Sequence, residues 1–256
     1  MQKTLQRFSL AIAVILLCSI SVVYASGFYW KDSFTTNNFR YTGSVSDDYW
    51  LVVTNNENLT KTITDGKLIL NFTRSSGSNE QSWICKRAIN ASAPITAEFS
   101  FSLSSASDSE FGAELGAMYN STTWLWKIEI SSSSVKLGFN SPTGSWTTKT
   151  LSTSFTKDEY HTVSVTLGNN TVTAEMDDVS YSYDCLFTYD DCNNAEASFI
   201  LKAKLLQGAT ASTGEIYFDY IEWGSPTSTM KQIIPTILSL ALLTVCIGLV
   251  TKAVKW

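Results

Sequence analysis

The sequence predicts an all-β domain, a two-sheet β-sandwich, joined to one C-terminal transmembrane helix. Three observations predict it. Apolar and polar residues alternate with a period of two in run after run, turn residues punctuate those runs at regular spacing, and no long helical period interrupts them before the C-terminus. The clearest run is the hairpin Tyr160–Asp178. Val163, Val165 and Leu167 share one face, and Val172, Ala174 and Met176 answer them across a Gly168-Asn169-Asn170 turn.

In chain order, Asp65-Gly66 is a turn feeding Leu68, Leu70 and Phe72, and residues 81–87 form a short strand. Ile95, Ala97, Phe99, Phe101 and Leu103 alternate with polar residues, as in a half-buried strand. Residues 112–119 lead to Trp124, Trp126, Ile128 and Ile130, and four serines turn the chain back as Val135, Leu137 and Phe139. Residues 141–150 read as loop or edge around Trp146. After the hairpin and an excursion between Cys185 and Cys192 come Phe199, Leu201, Ala203 and Leu205, and residues 214–223 close the domain. That is roughly 12 to 14 short strands, the pattern of a sandwich or jelly roll whose two sheets share one core.

The ends set the expected compartment. Lys3 and Arg7 precede an apolar run from Leu10 to Leu17 and a Val23-Tyr24-Ala25 site, a secretory signal over residues 1–25. The ectodomain then covers 26–223 and a linker 224–232. The uncharged apolar run Ile233 to Val250 places a transmembrane helix at 233–251 and leaves a cytoplasmic tail at 252–256. Lys252 and Lys255 on that tail fit a single-pass type I protein in the cell membrane with its ectodomain outside. A lipid-anchor signal with small residues at Gly224 and Ser225 is the alternative, and either version has the lipid bilayer as a partner.

Composition narrows the partners. Between the ends lie all 23 acidic residues and 13 of the 18 basic ones, an excess of ten negative charges that disfavours nucleic acid. Of five cysteines, Cys18 falls in the signal and Cys246 in the span. Among Cys85, Cys185 and Cys192, the pair Cys185 and Cys192 is expected to form a disulfide around a short loop, with Cys85 packing as a buried thiol. One histidine and no closely spaced ligand pairs argue against zinc. Five N-glycosylation sequons, at Asn58, Asn71, Asn90, Asn120 and Asn169, mark expected surface positions of a glycoprotein.

The order of features then carries a resemblance. Trp30-Lys-Asp-Ser-Phe34 is followed by Trp50, by Ile63-Thr-Asp-Gly-Lys-Leu-Ile-Leu70 and by Lys86-Arg-Ala-Ile89. Ile95-Thr-Ala-Glu-Phe-Ser-Phe101 and Tyr160-His-Thr-Val-Ser-Val165 come next, and Tyr217-Phe-Asp-Tyr-Ile-Glu-Trp223 ends the series. This resembles the concanavalin A-like lectin/glucanase superfamily, in the divergent LamG-like form found as modules of secreted and surface proteins. The resemblance covers nearly all of Tyr29–Trp223. It implies a jelly roll that hosts lectins, glycosidases, adhesion modules and coats alike.

The superfamily's β-glucan-cleaving members carry Glu-x-Asp-x-Glu or Glu-x-Asp-x-x-Glu on one strand, which puts nucleophile and acid/base on one face. The nearest match is Glu175-Met-Asp177-Asp-Val-Ser180, without its third carboxylate. Glu175 and Asp177 are therefore the catalytic candidates only if the chain is an enzyme. A hydrolytic triad would need His161. For carbohydrate, the candidates are Trp146 in a polar loop context, Trp124 and Trp126 on one strand, and Tyr119. For calcium, no other cofactor being expected, they are Asp184, Asp190, Asp191 and Asn193. These features lead to the expectation of a non-catalytic ectodomain of lectin or adhesion type, binding glycans or a neighbouring surface protein. A laminarinase-type glycoside hydrolase with an atypical site and a structural envelope or coat component are the alternatives.

Overall fold

In the computed structural model, residues 30–74, 80–89, 95–205 and 212–224 are described, all within one compact unit, Phe28–Ser225. The expected signal, linker beyond Gly224, transmembrane helix, tail and the Asn90 sequon lie outside the described residues. Among the described residues no helix is long and apolar enough to cross a membrane.

The described residues form sixteen strands in two sheets. In chain order they are β1 (Trp30–Asp32), β2 (Phe39–Arg40), β3 (Trp50–Thr54), β4 (Leu59–Thr64), β5 (Lys67–Arg74), β6 (Gln81–Ala88), β7 (Ile95–Leu103) and β8 (Phe111–Met118). They continue as β9 (Trp124–Ser131), β10 (Val135–Asn140), β11 (Trp146–Ser152), β12 (His161–Leu167), β13 (Asn169–Met176), β14 (Val179–Thr188), β15 (Ser198–Leu205) and β16 (Ser212–Gly224). The first sheet runs β14-β13-β12-β7-β16-β5-β4, with β1 also against β16. The second runs β11-β10-β9-β8-β15-β6-β3-β2. All pairings are antiparallel except β2 with β3.

Local chemistry sets the registers. Asp65 and Gly66 have φ of 53° and 70°, and Asp177 and Asp178 have 48° and 70°. Positive φ at both central residues makes the two-residue turn whose twist matches its flanking strands, so Thr64 pairs with Lys67 and Met176 with Val179. The Tyr160–Asp178 hairpin forms as its alternation predicts, with Val163 opposite Met176, Val165 opposite Ala174 and Leu167 opposite Val172. The stretch around Trp146 is an edge strand rather than a loop.

Alternation becomes burial. Leu68, Leu70 and Phe72 of β5 and Phe99, Phe101 and Leu103 of β7 are fully buried, as are Trp83, Trp126, Leu137 and Leu201 of the second sheet. Each such side chain contributes roughly 1.5–3 kcal/mol. At one end the core is aromatic. Trp30 meets Trp50 edge-on at 5.5 Å and Phe199 at 5.8 Å, while Trp126 stacks on Trp223 at 6.4 Å.

The expected disulfide is absent: Cys185 and Cys192 are free, buried thiols, as is Cys85. The reason is the course of β14, which does not stop at Cys185 but runs on to pair Thr188 with Asn169. A 3₁₀ turn, Tyr189–Cys192, follows, and Asp191 Oδ2 fastens it by accepting from Thr188 N at 2.8 Å. The Cys185 thiol donates to the Phe187 carbonyl at 3.2 Å, and Cys192 packs in the core. Burial, the larger effect, pushes Cys185 up to about 11 and Cys192 to about 12, with neighbouring Asp184 and Asp191 adding to the shift. Both are therefore thiols at neutral pH. Iodoacetamide at pH 7.5 is expected to leave these two cysteines unlabelled in the native protein and to label both in denaturant without a reductant. Labelling that requires prior reduction would show a bridge after all.

Candidate functional site on the outer face of the second sheet

Strand β8 points Phe111, Ala113, Leu115 and Ala117 into the core, so Gly112, Glu114, Gly116 and Met118 face outward. Register extends that face sideways. Glu114 stands between Lys202 of β15 and Glu129 of β9, and Glu129 stands beside Lys136 of β10. The neighbouring row carries Lys86, Ile200, Gly116, Lys127, Gly138 and Thr148.

The centre of this face is a charge cluster. Glu114 is only 5% exposed. Its carboxylate accepts from Lys204 Nζ at 2.5 Å and Lys127 Nζ at 3.1 Å, with Lys202 Nζ at 3.7 Å. Lys127 also holds Glu129 at 2.6 Å, so one ammonium bridges two carboxylates from adjacent strands. Lys202 reaches Glu80 at 3.1 Å. Burial by itself would push Glu114 up; the Lys204 hydrogen bond and the charges of Lys204, Lys127 and Lys202 outweigh it and hold the carboxyl below its ordinary value. Burial likewise pulls Lys127 down, but Glu129 and Glu114 reverse this and leave it raised.

The sign follows from linkage. A depressed carboxylate contributes stability that is full above its unfolded value, near 4.5, and is lost as pH falls through its lower folded value. Thermal melts of Glu114→Gln are therefore expected to show a flatter loss of stability below pH 4.5 than the parent. Parallel acid limbs for the two proteins would contradict this.

Aromatic rings border the cluster. Trp146 lies across Gly138, where an added Cβ would meet the ring at 2.4 Å, so a larger residue there would have to displace the indole. Trp146 is 42% exposed. Lys127 Nζ sits 5.6 Å from the Trp146 ring and 5.7 Å from that of Trp124, a cation bracketed by two indoles. A register shift between Ala117 and Met118 separates Trp124, which is partly exposed, from the inward phase of Trp126.

The expected carbohydrate residues are thus divided. Trp146 and Trp124 meet here. Trp126 is fully buried against Trp223 and open to no ligand, because it continues the core face of Ile128 and Ile130. Tyr119 is exposed and stacks on Phe187 at 6.4 Å. Glu175 and Asp177 lie on the first sheet: Glu175 is exposed between Ser164 and Ser180, and Asp177 is a turn residue. Asp177 accepts from Thr162 N at 3.0 Å and meets His161 Nδ1 at 2.6 Å, while His161 Nε2 faces the Thr156 carbonyl at 2.8 Å. With both ring nitrogens occupied by these oxygens, His161 has no nucleophile to activate, and the triad is excluded.

The calcium set does not converge. Asp184 pairs with Thr171 in the sheet, Asp191 caps the 3₁₀ turn, and Asn193 N donates to the Asp190 carbonyl at 2.9 Å. Among the described residues no three His, Cys, Asp or Glu side chains gather as metal ligands. The sequon residues Asn58, Asn71 and Asn120 are half-buried and Asn169 is exposed.

No family model matches the chain, and no curated protein matches it by sequence. Solved structures match its fold. An endo-β-galactosidase from Clostridium perfringens that releases GlcNAcα1-4Gal is 12% identical at a TM-score of 0.54, over 79% of this chain and 63% of its own. A structure described among endo-acting O-glycanases of the human gut microbiota, which initiate mucin breakdown, is 14% identical at 0.54, over 77% of this chain and 98% of its own. A protein of unknown function from Shewanella oneidensis MR-1 is 16% identical at 0.52, over 78% and 86%.

Two expectations are corrected here, that the domain is a non-catalytic lectin or adhesion module and that it is no enzyme. Structures sharing its fold include glycan-cleaving enzymes. A pair of acids also faces outward across two strands, Glu114 of β8 directly opposite Glu129 of β9, where a reading of each strand by itself finds none. The fold itself is as the sequence resemblance implied: the described residues form an all-β two-sheet sandwich of jelly-roll type, the fold these structures share.

Proposed function

We propose that the domain is a glycan-cleaving glycoside hydrolase working on the outer face of the second sheet, exported and held at the membrane by the 233–251 segment. One observation carries the reading: Glu114 and Glu129 stand directly opposite on adjacent strands, joined by Lys127, beside Trp124 and Trp146. Both carboxylates reach the one Lys127 Nζ, at 3.1 and 2.6 Å, so their nearest oxygens lie within roughly 6 Å of each other, close enough for a nucleophile and acid/base pair in retaining hydrolysis. Two of the fold neighbours named above, the endo-β-galactosidase and the structure described among endo-acting O-glycanases, support glycan cleavage.

Roles follow from environment. Glu114, kept ionised by its lysines, is the nucleophile. Glu129, whose side chain is 32% exposed and so open to water and to a leaving group, is the acid/base. Glu129 in its acid form gives its proton to the glycosidic oxygen as that C–O bond breaks, and a Glu114 oxygen bonds to the anomeric carbon. Water then adds to that carbon, its proton returning to Glu129 as the Glu114 ester bond breaks. Trp146 and Trp124 offer ring faces for sugars.

The test is release of new reducing ends from a panel of neutral and acidic glycans by the full-length chain. Turnover that falls with Glu114→Gln or Glu129→Gln, and persists in Glu175→Gln, is expected. Turnover lost only in Glu175→Gln would move the site to the first sheet.

A further inference from the structure

The charge of this face is opposite to that of its domain. Five of the 13 basic residues between the chain's ends, Lys86, Lys127, Lys136, Lys202 and Lys204, lie on it, although acids exceed bases there by ten. Its facing carboxylates are Glu114 and Glu129, with Glu80 reaching in through Lys202. Lys86 and Lys136 make no ion pair among the described residues, although both are half-buried on their strands.

We infer that the substrate is an anionic glycan, a linear polymer bearing carboxylate or sulfate groups, lying across β6, β15, β8, β9 and β10. This rests on the proposed catalytic face and names what that face takes. From β6 to β10 there are four strand intervals, about 19 Å at ~4.8 Å each, so the lysines line a path spanning several sugar rings.

The anion also answers a difficulty of access. Glu114 is covered by Lys202 and Lys204, whose side chains are 19% and 18% exposed. A neutral hydroxyl competes poorly for an ammonium already paired with a carboxylate, because charge-assisted hydrogen bonds are roughly twice as strong as neutral ones. A substrate carboxylate or sulfate competes on equal terms. It takes over Lys202 and Lys204 and uncovers Glu114, while Lys127 stays between the two carboxylates. Lys86 and Lys136, having no ion-pair partner to exchange among the described residues, pair with further anions along the polymer. A neutral polymer of the same shape makes none of these exchanges.

The experiment is binding of the full-length chain to polygalacturonate, to its methyl ester and to a sulfated galactan, by calorimetry at two salt concentrations. Both charged polymers, or either one, are expected to bind at least about tenfold tighter than the ester and to weaken as salt rises. The double substitution Lys86→Gln and Lys136→Gln is expected to weaken charged-polymer binding by about tenfold without moving the melting temperature. Equal binding of polyanion and ester, or of parent and double variant, overturns the inference. Binding of the polyanion without cleavage supports the anionic ligand and removes the hydrolase reading. Glu114-dependent cleavage of a neutral glycan with no polyanion binding keeps the hydrolase and removes this inference.

Discussion

Glu114→Gln is expected to lower kcat on any glycan the domain cleaves by at least about 100-fold, the scale on which a directly participating carboxyl acts. The change keeps size and hydrogen-bonding shape but removes the nucleophile and the charge that three lysines share. KM is expected to move far less, because Trp146, Trp124 and the lysines remain. Glu129→Gln should instead lose proton transfer, so its deficit shrinks with substrates whose leaving group needs no proton, such as a nitrophenyl glycoside. A deficit equal for good and poor leaving groups would deny Glu129 the acid role.

The second large effect is on stability. Asp32→Ala is expected to cost about 3–5 kcal/mol, the scale for removing one partner of a buried ion pair, and to lower the melting temperature by roughly 6–20 °C. Asp32 is 4% exposed and serves three groups. It accepts from Phe34 N at 2.8 Å, from Trp50 Nε1 at 3.0 Å, and lies 3.6 Å from Arg87 Nη1. Phe34 is fully buried at a φ of 52°, a backbone position unfavourable for a bulky residue, and the Asp32 contact helps hold it there. Arg87 lies over Trp30 at 4.3 Å, where burial pulls its guanidinium down and Asp32 opposes the shift. Removing Asp32 strands that cation inside the aromatic end of the core. Asp32→Ala combined with Arg87→Leu should recover part of the loss, and a double variant less stable than Asp32→Ala alone would contradict the buried-pair account.

Strands were legible wherever one face is buried, since a period of two is what a half-buried sheet imposes. The β12–β13 hairpin and the Asp177-Asp178 turn show this, pairing as alternation and turn chemistry require. The short strands β1 to β3 were not, because two to five residues are too few to display a period. The candidate site was hidden for another reason. Glu114 and Glu129 are neighbours across strands, and alternation within a strand reports nothing about register between strands. Counting outward from the Met118–Trp124 pair would put Ile128 opposite Glu114; the shift at Ala117/Met118 moves Glu129 there. Trp126 packs in the core on the face that Ile128 and Ile130 continue, as alternation implies, while the same shift takes Trp124 off that face. The cysteine pair was read from compartment and spacing, and the continuation of β14 past Cys185 is a matter of pairing with β13, which neither reveals.

The most direct test of the account is whether the full-length protein shortens glycan chains at all. Chain length and new reducing ends should be followed together while the protein acts on acidic and neutral polymers. The account predicts a rise in reducing ends with a fall in chain length on an acidic polymer, absent in Glu114→Gln. A polymer that is bound at the lysine-lined face and recovered uncut after prolonged incubation would contradict it.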